Sequence, residues 1–181
     1  THADFVTQAF AGKSLDVVVI GHGLLGSQDQ ATQDFTHTKE ILDVNLTSFV
    51  SLLTHVGQRM ANQRSGFITV ISSCSGDRAR RGSYVYAAAK AGLCVFLEGY
   101  RQRLHDTGIR VLTVKPGFVS TPMTASMRQG FLFATPPPVG RAIARRMEIH
   151  CSGDMYVPRF WWLVMKVVQL IPESLLRRLP F

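Results

Sequence analysis

Residues 66–90 read "GFITVISSCSGDRARRGSYVYAAAK". The first third, "GFITVISSC", is an apolar run opened by glycine, the pattern of a buried strand. The end of the stretch begins a helix predicted over residues 83–106 and closed near its C-terminus by Gly108. Between them lies a loop carrying Arg78, Arg80 and Arg81. On the helix, Tyr86 and Lys90 stand four residues apart and so share a face. An ammonium beside a phenol favours the phenolate, so the Tyr86 pKa is expected to fall from about 10 toward working pH. Such a phenol can give a proton to a reacting oxygen or take one from it. Taken alone, the pair also fits a surface tyrosine beside a solvated lysine.

The same alternation extends in both directions. "THADFVTQAFAGKS" (1–14) reads as the middle of a helix followed by a turn. "LDVVVIGHG" (15–23) is a continuous apolar run bounded by glycine, which predicts a strand buried on both faces. Residues 35–62 have helical spacing, with Ile41, Val44, Leu52 and Val56 among the apolar positions. "IRVLTVKPG" (109–117) is a third strand stopped by Pro116-Gly117, and prolines start a helix in "TPPPVGRAIARRMEIH" (135–150). A short strand, "DMYVP", follows, and the tail from residue 159 reads as helix, proline break, helix. Strands alternating with helices predict an α/β fold whose parallel sheet is covered on both faces. Ligand loops in such folds lie at the carboxyl ends of the strands. Here those loops are "GHGLLG", "SSCSGDRARRG" and "KPGFVSTPM".

Bulk composition narrows the class. The 181 residues, 46% apolar and 18% charged, suit one globular domain with a sizeable core. A net charge of +8 favours anionic partners: phosphorylated ligands, acidic lipid headgroups or nucleic acid. Nucleic acid ranks last, because the arginines are not interleaved with aromatics on a strand face. Cys74, Cys94 and Cys151 have no metal-ligand spacing and read as reduced thiols of a cytoplasmic protein, and no metal is expected. No signal peptide is read at the start. No run of about 18 apolar residues predicts a spanning helix.

Four motifs now combine: "VNL" at 44–46, "ISSCSG" at 71–76, "YAAAK" at 86–90 and "KPGFVST" at 115–121. Ser73 stands 13 residues before Tyr86, and Asn45 stands 41 before it. Together they resemble the short-chain dehydrogenase/reductase family over nearly the whole chain. The resemblance implies a Rossmann-type doubly wound sheet and hydride transfer between NAD(H) or NADP(H) and a carbonyl. It implies Tyr86 as acid/base, with Lys90 lowering its pKa and binding the nicotinamide ribose. Ser73 is implied to hydrogen-bond the substrate oxygen, and Asn45 to hold a relay water through its helix backbone. Gly23, Pro116, Gly117, Val119 and Thr121 are implied cofactor contacts. The family's Asn-Asn-Ala-Gly is here Ile20-Gly21-His22-Gly23, so His22 either contacts ligand or fills the alanine position. The family's glycine-rich strand-to-helix turn has no counterpart. The expectation is therefore a sequence lacking about the first three strands, with residues 1–154 the C-terminal two-thirds of the domain and 155–181 its apolar, basic tail. The alternative is an inactive fragment with only a structural or binding role.

"GHGLLGSQ" together with "SSCSGDRARRGSYVY" is similar, within that family, to reductases of decaprenylphosphoryl keto-pentose, a lipid-linked sugar of cell-envelope synthesis. This implies a small-molecule or lipid-linked sugar substrate, with Arg78, Arg80 and Arg81 as candidate phosphate contacts. A solvated or salt-bridged arginine cluster remains the other reading. "FWWLVMKVVQLI" (160–171) is too short to span a bilayer. It either packs on the body or on another subunit, or lies in a membrane interface. The expected partners are the substrate and further copies of the chain. The expected place is the cytoplasm, at most peripheral to the inner membrane face.

Overall fold

The computed structural model describes residues 1–178; the last three residues of the predicted tail lie outside the described residues. Four strands form one sheet: β1 (Val17–Ile20), β2 (Gly66–Ile71), β3 (Ile109–Pro116) and β4 (Gly153–Val157). The order is β1-β2-β3-β4 and every pairing is parallel. Parallel neighbours need crossovers, and helices supply them. Helix α1 (His2–Ala9) precedes the sheet. Helices α2 (Gln28–Gln33), α3 (Phe35–Leu42) and α4 (Ser48–Gln63) join β1 to β2, α5 (Tyr84–Arg103) joins β2 to β3, and α6 (Pro136–Glu148) joins β3 to β4. Helices α7 (Phe160–Leu170) and α8 (Glu173–Leu176) follow.

Side chains alternate across the strands and split the core in two. Ile20, Ile68, Val70, Ile109 and Val111 meet Phe49, Leu53 and Met60 of α4 and Leu93 and Leu97 of α5. Phe67, Leu112 and Val114 point the other way, onto Val139 of α6. The doubly wound, Rossmann-like architecture is therefore present in the described residues. Residues 35–62, read as one helical stretch, contain a wide π-type segment, Asp43–Thr47, between α3 and α4. Such single wide turns cluster at functional sites. Gly108, at φ +80°, makes the left-handed turn from α5 into β3, and a Cβ there would strike the Arg64 carbonyl.

One prediction needs correction. "LDVVVIGHG" was expected to form a strand buried on both faces, yet Val17 is 43% and Val19 55% exposed. They share a face with Phe67 and Thr69, their register partners, and α6 packs farther along the sheet. Only the α4/α5 side of β1 is covered, through Val18 and Ile20.

Candidate active site

The carboxyl ends of β1, β2 and β3 open into one cleft of about 330 Å³. Ser73 follows β2 in extended conformation, and its hydroxyl accepts from the Ser75 N–H at 3.1 Å, which tightens the turn Cys74–Gly76. Tyr86 and Lys90 come from the first two turns of α5 and are 8% and 2% exposed. All three line the cleft, with Gly23 from the β1 loop and Pro116, Gly117, Val119 and Thr121 from the β3 loop. Sequence reasoning did not single out Phe118, Met123 or Met127, which wall the same space. The β3 loop is fixed by its own turn: the Thr124 hydroxyl donates to the Val119 carbonyl at 2.6 Å.

Lys90 Nζ lies 4.8 Å from the centroid of Phe49 and 5.7 Å from that of Tyr86, and it donates to the Ile71 carbonyl at 3.4 Å. Burial lowers its pKa from 10.5 to about 8. The expected fall of the Tyr86 pKa does not occur here. Burial pushes the phenol up, and the opposing influence of the Ser73 hydroxyl is the smaller effect. Among the described residues, the basic groups lining the cleft are Lys90, Arg80 and His22, and no carboxylate lines it.

Asn45 is fully buried inside the π segment, outside the cleft. Its side chain clamps the β1 loop: Nδ2 donates to Leu24 O at 2.6 Å and Ile41 O at 2.8 Å, and Oδ1 accepts from Leu24 N at 3.2 Å. That clamp presses Gly23 close; a Cβ on Gly23 would sit 3.1 Å from Asn45 Oδ1 and 3.8 Å from Lys90 Nζ. His22 lines the cleft, stacks on Phe49 at 4.1 Å and has Nε2 2.6 Å from Ser48 Oγ. Burial, then the Lys90 charge, lower its pKa.

The three arginines diverge. Arg80 lines the cleft, with its guanidinium 5.2 Å from the Phe118 ring centroid. Arg78 donates to the Ile171 carbonyl at 3.2 Å and so ties the tail. Arg81 lines a second hollow with Arg80, Tyr84, Glu173 and Arg177. Behind the cleft is a charge network that sequence reasoning missed. Lys115 Nζ donates to Asp77 at 2.9 Å and pairs with Asp154 at 2.8 Å, and the Tyr156 hydroxyl donates to Asp77 at 2.6 Å. Burial alone lowers the Lys115 pKa, but the carboxylates reverse this and hold it well above the usual range. The network joins the Ser73 turn, through Asp77, to the residue before Pro116-Gly117. A lysine inside the apolar run "IRVLTVKP" was the signal for it.

A family model described as short chain dehydrogenase matches residues 2–131. The chain belongs to the short-chain dehydrogenase family. An uncharacterized oxidoreductase of Mycobacterium tuberculosis is 36% identical over 166 residues, 92% of this chain and 66% of that relative. An uncharacterized oxidoreductase of Streptomyces coelicolor is 32% identical over 179 residues, 99% of this chain and 70% of the relative. The chain thus spans about two thirds of the length of these relatives. Among solved structures, a short-chain dehydrogenase/reductase family oxidoreductase from Burkholderia thailandensis superposes with TM-score 0.72 at 27% identity, covering 92% of this chain and 74% of the other. Family membership agrees with the expectation from the motifs, and members of this family use NAD(H) or NADP(H).

Proposed function

We propose that this chain carries the catalytic and nicotinamide-facing part of an NAD(P)-dependent carbonyl reductase. The observation behind this is that Ser73, Tyr86 and Lys90 converge on one cleft walled by residues 116–121. The nicotinamide half of a dinucleotide fits the residues present. Gly23 brings the β1 loop backbone close beside Lys90, where a Cβ would crowd the site, and Pro116, Gly117, Val119 and Thr121 wall the cleft on the β3 side. When bound, the cofactor supplies or accepts the hydride. The protein orients the partner atoms and moves one proton. Ser73 Oγ donates a hydrogen bond to the carbonyl oxygen. The Tyr86 phenol, kept protonated by burial, gives its proton to that oxygen as charge develops. Lys90 holds the ribose hydroxyls and, as an ammonium, stabilises the phenolate left behind. Asn45 keeps Gly23-Leu24 in place, and its backbone carries the water that returns the proton.

For substrate, we infer a keto group on a phosphorylated, lipid-linked sugar of the cell envelope. Arg80 supports this, because it borders both the main cleft and the second hollow, where Arg81 and Arg177 add positive charge. Arg78 is committed to the tail. We further infer that residues 155–181 are a tail of the same domain, and that the protein is a homo-oligomer of the cytoplasm, peripheral to the inner membrane face. The substrate inference is tested with Arg80→Gln combined with Arg81→Gln. The variant should raise KM for a phosphorylated keto sugar at least about ten-fold, as expected for losing charge-assisted contacts. An unphosphorylated ketone should be almost unaffected. Equal losses for both substrates would assign the arginines to holding the loop.

A further inference from the structure

Helix α7 buries one stripe and bares another. Trp161, Val164, Met165 and Val168 pack inward with Cys74 and Phe118. Phe160, Leu163, Val167 and Leu170, spaced to form one helical stripe, are 45%, 60%, 55% and 83% exposed, and Trp162 beside them is 52% exposed. The same segment carries the exposed Arg159, Lys166, Arg177 and Arg178, with Glu173 the one acidic side chain of residues 155–178. Phe131, in the loop after β3, is 94% exposed. Its neighbour Phe133 stacks on Phe118, which meets Trp161 edge-on.

We propose that the outward face of α7 inserts into the interface of an anionic lipid bilayer and holds the cleft at headgroup level. The proposal deepens the lipid-linked-substrate reading and rests on it for the purpose of docking, though not for the binding itself. Eleven residues of helix cannot cross a bilayer, so α7 lies in its plane. Among the described residues no helix is long and apolar enough to cross a membrane. Apolar insertion plus basic side chains is the composition of an interfacial helix. Charge decides against a second copy as the occupant, since a two-fold contact would press the same basic segment against itself. The inner face links docking to the site. The Trp161 indole lies against Gly117, where no Cβ fits, and Gly117 lines the cleft. Docking α7 therefore fixes how the cleft faces the lipid.

The test is co-sedimentation of the intact protein with vesicles of phosphatidylcholine alone or with about one third phosphatidylglycerol, without substrate or cofactor. The outcome is thus independent of whether the reductase reading holds. Retention should need the anionic lipid and weaken with salt. Lys166→Gln with Arg177→Gln should cost roughly five-fold per residue on anionic vesicles. Leu163→Gln with Val167→Gln, both on the exposed stripe, should cost at least about ten-fold. Brominated lipid should quench Trp162, and Trp162→Phe should remove most of the quenching, because Trp161 is only 5% exposed. Folded protein that anionic vesicles never retain, or equal retention of the Leu163/Val167 variant, overturns the proposal. So does a dimer that the Leu163/Val167 variant splits while wild-type protein ignores vesicles.

Discussion

Replacing Lys90 with methionine should make the protein more stable and less active. Lys90 is 2% exposed, and burial holds its pKa at about 8 against 10.5. At neutral pH the charged form therefore costs the fold about 3 kcal/mol, at about 1.36 kcal/mol per tenfold change in proton affinity. Methionine keeps the length and apolar stem but loses the cation over Phe49, worth about 1 kcal/mol. A net gain of about 2 kcal/mol is expected. The sign follows from linkage. The unfolded chain holds the lysine proton up to about pH 10.4, whereas the folded chain releases it near 8. Wild-type stability contains the full penalty below that window and recovers as pH rises through it. The advantage of methionine is thus largest at neutral pH and mostly gone near about pH 10. Urea unfolding followed by circular dichroism at the two pH values measures both. A methionine variant that is less stable at neutral pH, or whose advantage is the same at both, refutes the reasoning. Loss of activity with gained stability is the pattern of a strained functional group.

Other consequences are local. Lys115→Met leaves Asp77, whose side chain is 6% exposed, without its cation and should cost about 3 kcal/mol in urea unfolding. Asp154→Asn, at a half-exposed partner, should cost under about 1 kcal/mol. Burial raises the Asp154 pKa, but hydrogen bonds from Lys115 and Arg101 outweigh it, so its contribution is present above about pH 4 and fades as pH falls. Gly117→Ala puts a Cβ into the Trp161 indole and should cost about 1–3 kcal/mol. Trp161→Phe in the same chain should return part of that stability, which differential scanning calorimetry can read.

The strands were legible because β2 and β3 are predominantly apolar runs bounded by glycine or proline, and Ile68, Val70, Val111 and Leu112 are indeed fully buried. The face on which β1 lies bare was not legible, because an apolar run carries no record of which helix covers it. Tyr86 and Lys90 could be grouped from their helical spacing, and Ser73 joined them through the resemblance to the family's motifs. Asp77 and Asp154 could not, since they meet Lys115 only through strand register and a turn. The Tyr86 shift was misread for a related reason: spacing places two groups on one face but says nothing of burial, which sets the sign here. Trp161 over Gly117 likewise depends on the angle at which α7 leaves β4.

The central claim is that Tyr86 is the proton donor in carbonyl reduction. The direct measurement is single-turnover oxidation of NADH or NADPH by a ketone substrate, followed by nicotinamide absorbance in the protein expressed from its full reading frame. Tyr86→Phe removes one hydroxyl from a side chain packed with Ala31, Ile41 and Val85. It should leave the fold and cofactor affinity intact and slow the chemical step by about 10²–10⁴. A phenylalanine variant that turns over at near the parental rate contradicts the account.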